Sequence, residues 1–237
     1  MAKNSIGFQF KQFFIAHDCC AMKVNTDGIL LGALANISQA QNILDLGTGS
    51  GLIAIMLAQR TACNANIIAV ELDEDAFQQA KRNAINSPFG KQITIQQADI
   101  FQLNFAIKFD LIVSNPPYFE QSLNSNNPQR NLARQAIQSN FAWLKQAANW
   151  ITTKGKICFI LPLDIAEKLI EQAQSLGLYC IEKWLVYTKI SKLPKRAIIT
   201  FSPTKLSYIE KTVTIYQENN QYTSEFKRLT QDFYLNF

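Results

Sequence analysis

From Ile43 onward the chain alternates short apolar runs with stretches whose apolar positions recur every three or four residues. The runs Ile43–Leu46, Ile67–Glu71, Ile93–Gln96 and Asp110–Ser114 predict strands, and Leu52–Gln59 and Asp75–Asn86 between them predict amphipathic helices. The alternation continues with a helix around Ala133–Trp150, a strand at Lys156–Leu161, a helix at Asp164–Leu176, and strands near Tyr179–Tyr187 and Ala197–Phe201. This order predicts an α/β fold, a doubly wound, mostly parallel seven-stranded sheet. The tight link between the last two strands makes them an antiparallel pair.

Before this core, Phe8–Ile15 reads as an aromatic strand or hairpin, and Thr26 as the N-cap of a helix running through Leu30 and Leu34. After it, Tyr208–Tyr216 is one more strand-like run, followed by a short helix-like tail. The expected organisation is an N-terminal elaboration over 1–40, a core over 41–204 and a C-terminal elaboration over 205–237, in a single compact domain.

Composition narrows the class. The chain has 237 residues, 48% hydrophobic and 17% charged, enough to bury a sizeable core. Its longest apolar runs, such as Ile157–Leu163, are too short to cross a bilayer, and no apolar signal core follows Met1, so a cytoplasmic location is expected. Five cysteines without a C-x-x-C pair suggest reduced, structural thiols. His17 is the sole histidine, so no metal site is expected and any mechanism must work without a histidine base. Nothing points to an oligomer, and a monomer is the default.

The chemistry-bearing residues fall at successive strand ends. Asp45-Leu46-Gly47-Thr48-Gly49-Ser50-Gly51 follows the first strand of the core and precedes a helix, so the backbone can pass close beneath a ligand. The spacing is G-x-G-x-G, not the G-x-G-x-x-G of dinucleotide sites, which favours S-adenosylmethionine over NAD. Glu71 ends the next strand, where a carboxylate can accept from both hydroxyls of a ribose. Asp99 follows the third strand beside Ile100 and is placed to accept from an adenine amino group. Asp45 is a candidate for orienting the cofactor's ammonium, with a structural role at the strand end as the alternative.

Ser114-Asn115-Pro116-Pro117-Tyr118 closes the fourth strand. The lone pair of an exocyclic amine or an amide nitrogen is delocalised into its π system, which makes it a poor nucleophile. The Asn115 carboxamide oxygen and the Pro116 carbonyl can accept its two N–H groups and hold it nearer to tetrahedral. The two prolines stiffen the turn, and Tyr118 offers a face for a flat substrate. The polar stretch 121–130 reads as a loop beside this site.

These residues resemble the class I S-adenosylmethionine-dependent methyltransferases, and Asn115-Pro116-Pro117-Tyr118 resembles their members acting on adenine, cytosine, guanine or glutamine amino groups. Three further stretches, from Met22 to Ala33, from Asn127 to Arg134, and Pro194-Lys195-Arg196, are similar to the bacterial tRNA1(Val) (adenine(37)-N6)-methyltransferase family. The resemblance implies tRNA as partner, adenine N6 as target, and cofactor contacts at Thr26 and Asp27 as well. Gln135 stands where the family pattern has histidine. Between Lys183 and Lys205 lie six Lys or Arg and no acid, consistent with an RNA partner. Arg130, Arg134, Lys192, Lys195 and Arg196 are the candidate RNA contacts. A glutamine methyltransferase, a guanine-N2 methyltransferase of ribosomal RNA, and a catalytically silent RNA-binding module remain the alternatives.

Overall fold

The computed structural model describes residues 6–20, 22–117 and 139–236. A short hairpin, β1 (Gly7–Gln9) and β2 (Phe14–Ala16), leads to α1 (Thr26–Leu34). The core follows as β3 (Asn42–Leu46), α2 (Leu52–Arg60), β4 (Asn66–Glu71), α3 (Glu74–Asn86), β5 (Ile93–Gln97) and β6 (Phe109–Ser114). Then come α4 (Asn140–Trp150), β7 (Ile151–Pro162), α5 (Leu163–Ala173), β8 (Tyr179–Lys189), β9 (Arg196–Ser202), β10 (Ile209–Tyr216) and α6 (Ser224–Thr230). The helix expected to begin near Ala133 is described only from Asn140.

The main sheet has the order β10-β8-β9-β7-β6-β3-β4-β5. It is the expected doubly wound arrangement with eight strands in place of seven, because the tail strand β10 pairs in parallel with β8 from Ile209↔Glu182 to Tyr216↔Lys189. β9 runs antiparallel to both β7 and β8. The chain leaves β3 toward β4 and β5, then returns to place β6 on the other side of β3. That reversal opens a crevice beyond the carboxyl ends of β3 and β6, the place where open α/β sheets bind ligands.

Strand alternation sends successive side chains to opposite faces. Leu44, Ile112, Phe159 and Leu161 meet α4 and α5 in one core cluster. Ile43, Leu111, Val113 and Ile160 meet α1, α2 and α6 in the other. With both faces covered, the central strands β3 and β6 read as apolar runs rather than alternating ones, interrupted by Asp45 and Asp110. A third cluster joins the two flanking segments: Phe10 and Phe13 of the hairpin and Phe233 of the tail pack on Ile55 and Met56 of α2.

The start of α1 differs by one position from expectation. Asn25, not Thr26, is the N-cap, with its Oδ1 accepting from Gly28 N at 2.8 Å. Thr26 already lies in the helix.

Candidate active site

A cavity of about 750 Å³ lies at the carboxyl edge, against the β3–α2 turn. Gly47, Gly49, Glu71, Asp99, Ile100 and Asn115 of the expected set line it together. Thr26, Asp27, Asp45, Gly51 and Pro116 do not. Tyr118, Arg130 and Arg134, together with Gln135, lie outside the described residues.

The glycine turn is held from below and from one side. Gly47 has φ of +69°, and a Cβ there would sit 2.9 Å from the Trp143 ring, so the position excludes a side chain on two counts. Gly49 has φ of +57° and its missing Cβ faces open space in the cavity. Gly47 N and Thr48 N both donate to Val70 O, tying the turn to β4. Gly49 N donates to Glu71 Oε2 at 2.8 Å, while Glu71 Oε1 accepts from Leu72 N at 2.8 Å and Asp73 N at 3.0 Å. Three backbone donors thus fix the Glu71 carboxylate at the cavity wall before any ligand arrives.

Asp45 lies beneath the turn, fully buried. Its Oδ2 accepts from Thr48 Oγ1 at 2.6 Å, and its Oδ1 has no partner among the described residues. Burial pushes this carboxyl up to about 7, opposed by the Thr48 hydroxyl and the Ala54 N–H. The geometry makes it a support of the turn, and it is not among the residues that line the cavity. Asp99 accepts from Phe101 N at 2.9 Å and Gln102 Nε2 at 3.3 Å, which fixes its carboxylate on the third strand end.

Asn115 follows β6 directly. Ser114 Oγ donates to Leu46 O at 2.7 Å, so the ends of β6 and β3 are tied side by side and Asn115 enters at the glycine turn. Asn115 Nδ2 points to Met22 Sδ at 3.7 Å. Met22 belongs to the stretch between β2 and α1, from which Cys20, Met22, Lys23, Val24 and Asn25 cover one side of the cavity.

That covering stretch is held by residues that belong to no motif. Asn83, 3% exposed, donates to both Ala16 O and Ser50 O at 2.8 Å and accepts from Ala16 N. Gln79 Oε1 accepts from Cys19 N at 3.3 Å. Both project from the face of α3 that also buries Ala76, Ala80 and Ala84. Two amides four residues apart on an alanine face are the signal that could have revealed them, since buried amides require partners. His17 Nδ1 accepts from Val24 N at 3.2 Å, pinning the far end of the stretch. Burial and nearby Lys23 lower the His17 pKa, against a smaller opposing effect of Asp18. Cys20 is pushed up to about 11 by burial and then by the Glu71 charge, so its thiol stays protonated at neutral pH and offers no competing nucleophile.

Lys192 and Lys195 sit on the turn between β8 and β9 and Arg196 opens β9, all apart from the cavity lining. Arg196 Nε donates to Asp27 Oδ2 at 3.0 Å, so one expected RNA contact and one expected cofactor contact are joined to each other. Among the described residues no group of three or more His, Cys, Asp or Glu is placed to hold a metal, and no helix is long and apolar enough to cross a membrane.

Residues 24–160 match the family model described as a methyltransferase small domain. A tRNA1(Val) (adenine(37)-N6)-methyltransferase of Glaesserella parasuis is 60% identical over 229 residues, covering 97% of each chain. One of the same name from Actinobacillus pleuropneumoniae is 54% identical over 98% of this chain and 99% of its own. A crystal structure of a predicted O-methyltransferase from Agrobacterium tumefaciens superposes with a TM-score of 0.67 at 19% identity, over 87% of this chain and 96% of that one, which establishes the methyltransferase fold. With a fold, a family model and near full-length relatives in agreement, this chain belongs to the tRNA1(Val) (adenine(37)-N6)-methyltransferase family.

Proposed function

We propose that this protein methylates N6 of an adenine in tRNA, adenine 37 of tRNA1(Val), in the cytoplasm, with S-adenosylmethionine as methyl donor. The observation that carries the reading is the meeting of Glu71, Asp99 and Asn115 around one cavity, each from a different strand end. Two carboxylates and an amide acceptor there suit a ribose, an adenine amine and a target amine respectively.

The residues present fit the donor. Gly47 and Gly49 leave the backbone open where side chains would intrude, and Glu71 is already oriented by Gly49 N, Leu72 N and Asp73 N. Glu71 holds the ribose hydroxyls, Asp99 the adenine amine, and Ile100 with Phe101 supplies apolar surface to the ring. The donor supplies an electrophilic methyl on a sulfonium.

The protein's part is then positional and electrostatic. The target base is turned out of its stack to reach the cavity. The Asn115 carboxamide oxygen accepts one N–H of the amine and the backbone carbonyl of Pro116, whose neighbours Asn115 and Pro117 line the cavity, accepts the other, with Tyr118 stacking on the base. No general base is needed at the start, because the amine becomes acidic only after it gains the methyl, and it then releases its proton to solvent water. His17 is consistent with this: its Nδ1 is engaged by Val24 N and does not act as the base.

The deciding experiment incubates the protein with labelled donor and total tRNA, ribosomal RNA or release factor, followed by nucleoside and peptide analysis. N6-methyladenosine confined to tRNA is expected. N2-methylguanosine in ribosomal RNA or label in protein would replace the substrate, and no label anywhere would leave an RNA-binding module.

The His17 contact gives a pH dependence. A histidine whose folded pKa lies below its unfolded value stabilises the fold fully above about 6.5, and that contribution is lost as pH falls through the lower folded value. Because Val24 lines the cavity, the affinity for S-adenosylhomocysteine should drop between pH 7 and 5 more steeply in wild type than in His17→Phe, which binds more weakly throughout. Calorimetric titrations across that range check it, and parallel profiles would remove His17 from cofactor retention.

A further inference from the structure

The turn between β8 and β9 projects from the same sheet edge as the cavity. Arg196 pairs with Pro162 at the carboxyl end of β7, and Leu163 N donates to Lys195 O at 3.1 Å. The Arg196–Asp27 ion pair fastens the turn to the first turn of α1, whose Asn25 and Gly28 line the cavity. Inside the turn, Lys192 N donates to Lys189 O at 3.0 Å and Lys195 N to Val186 O at 3.3 Å, so its backbone is set.

What this turn presents is unusual for a solvated surface. Leu193 is 85% exposed and Ile190 72%, the highest values among the exposed large apolar side chains of the described residues. They alternate with Lys192 and Lys195, which are exposed and make no ion pair among the described residues. Scattered exposed apolar residues need no explanation. Two at the tip of one braced turn, interleaved with unpaired cations beside a proposed RNA-modifying site, do.

We infer that this tip docks unpaired bases of an RNA loop, with Ile190 and Leu193 against base faces and Lys192 and Lys195 on the adjoining phosphates. The inference rests on the proposed function and deepens it by naming the form of RNA recognised. A duplex shows the approaching protein phosphates, 2′-hydroxyls and a shallow groove, which lysines can use and leucine cannot. An unpaired loop exposes base faces, and a base extruded for methylation leaves its neighbours unstacked as well. The two side-chain types therefore report on different parts of the same ligand.

The test uses the full-length protein, a fluorescent anticodon stem-loop, and a blunt duplex of the same stem, titrated over a series of salt concentrations. Wild type should prefer the stem-loop. Ile190→Ser/Leu193→Ser should lose about tenfold or more in stem-loop affinity with an unchanged salt slope, since base-face contacts carry no counterions. Lys192→Ala/Lys195→Ala should instead flatten the slope of log K against log salt by about 1 to 2. Both variants should bind S-adenosylhomocysteine as wild type does, which separates docking from folding. Stem-loop affinity of the Ile190→Ser/Leu193→Ser variant within about twofold of wild type, or equal wild-type affinity for duplex and stem-loop, overturns the inference and assigns the tip to another partner. Product analysis of wild type on total tRNA in the same preparation reads the proposed function separately, so its failure is not confused with failure of docking.

Discussion

Asn115→Ala should lower methyl transfer by at least about 10²–10³-fold in single-turnover measurements, the usual cost of removing one preorganised polar group at a reacting centre. Cofactor affinity should stay within about twofold of wild type. The separation follows from position: Asn115 enters the cavity from β6, whereas the groups assigned to the cofactor come from the β3–α2 turn and the ends of β4 and β5. Its place is set by the Ser114 hydroxyl on Leu46 O, which the substitution leaves intact. Asn115→Gln keeps the carboxamide but moves it by one methylene, and a displacement of that order costs about 10²-fold when geometry does the catalysis. A Gln variant far more active than the Ala variant would mean that the amide acts through a flexible contact. Full activity in Asn115→Ala, with product still N6-methyladenosine, would sink the assignment of this residue to the amine.

Much of the fold was legible because the central strands are covered on both faces and the helices on one. Ile43 and Leu44 go to opposite cores, so β3 reads as a short apolar run broken only by the buried Asp45, while α3 keeps a plain amphipathic stripe. The eighth strand was harder to place. β10 has an exposed first half, and its partner β8 lies more than twenty residues upstream across an intervening strand, so nothing local announces the parallel pairing. The end of each core strand was legible too, since Gly, Glu, Asp and Asn after successive strands are chemistry-bearing residues in sequence order.

The parts that escaped depend on long-range contacts. Asp27 and Arg196 are 169 positions apart, and nothing local in the sequence announces the ion pair between them. Asn83 and Gln79 would pass for the polar face of α3, yet they are buried against the segment leading to the cavity cover. Trp143 reads as core from its helix spacing, and only the fold places its ring over Gly47. Such residues carry no motif; their roles arise from what the turns bring to them.

Glu71→Ala is expected to raise the dissociation constant for S-adenosylhomocysteine about 100-fold or more. The carboxylate is credited with two charge-assisted hydrogen bonds to the ribose, each worth roughly 1.5–3 kcal/mol, and the loss is moderated because a truncated site relaxes and admits solvent. It also has a second task, since Gly49 N, Leu72 N and Asp73 N all donate to it. Removing it therefore loosens the glycine turn against β4 as well as deleting the acceptor. Glu71→Gln separates the two tasks. The amide retains one oxygen, which can accept from Gly49 N or from Leu72 N and Asp73 N but not from both sides at once, and its NH₂ faces donors on the other. Affinity should fall about tenfold for Gln and further for Ala, measured by calorimetric titration, with adenine methylation at saturating donor reduced far less than in Asn115→Ala. If Glu71→Ala binds within about twofold of wild type, the ribose is not held here, and the three backbone donors make this carboxylate a brace of the turn alone.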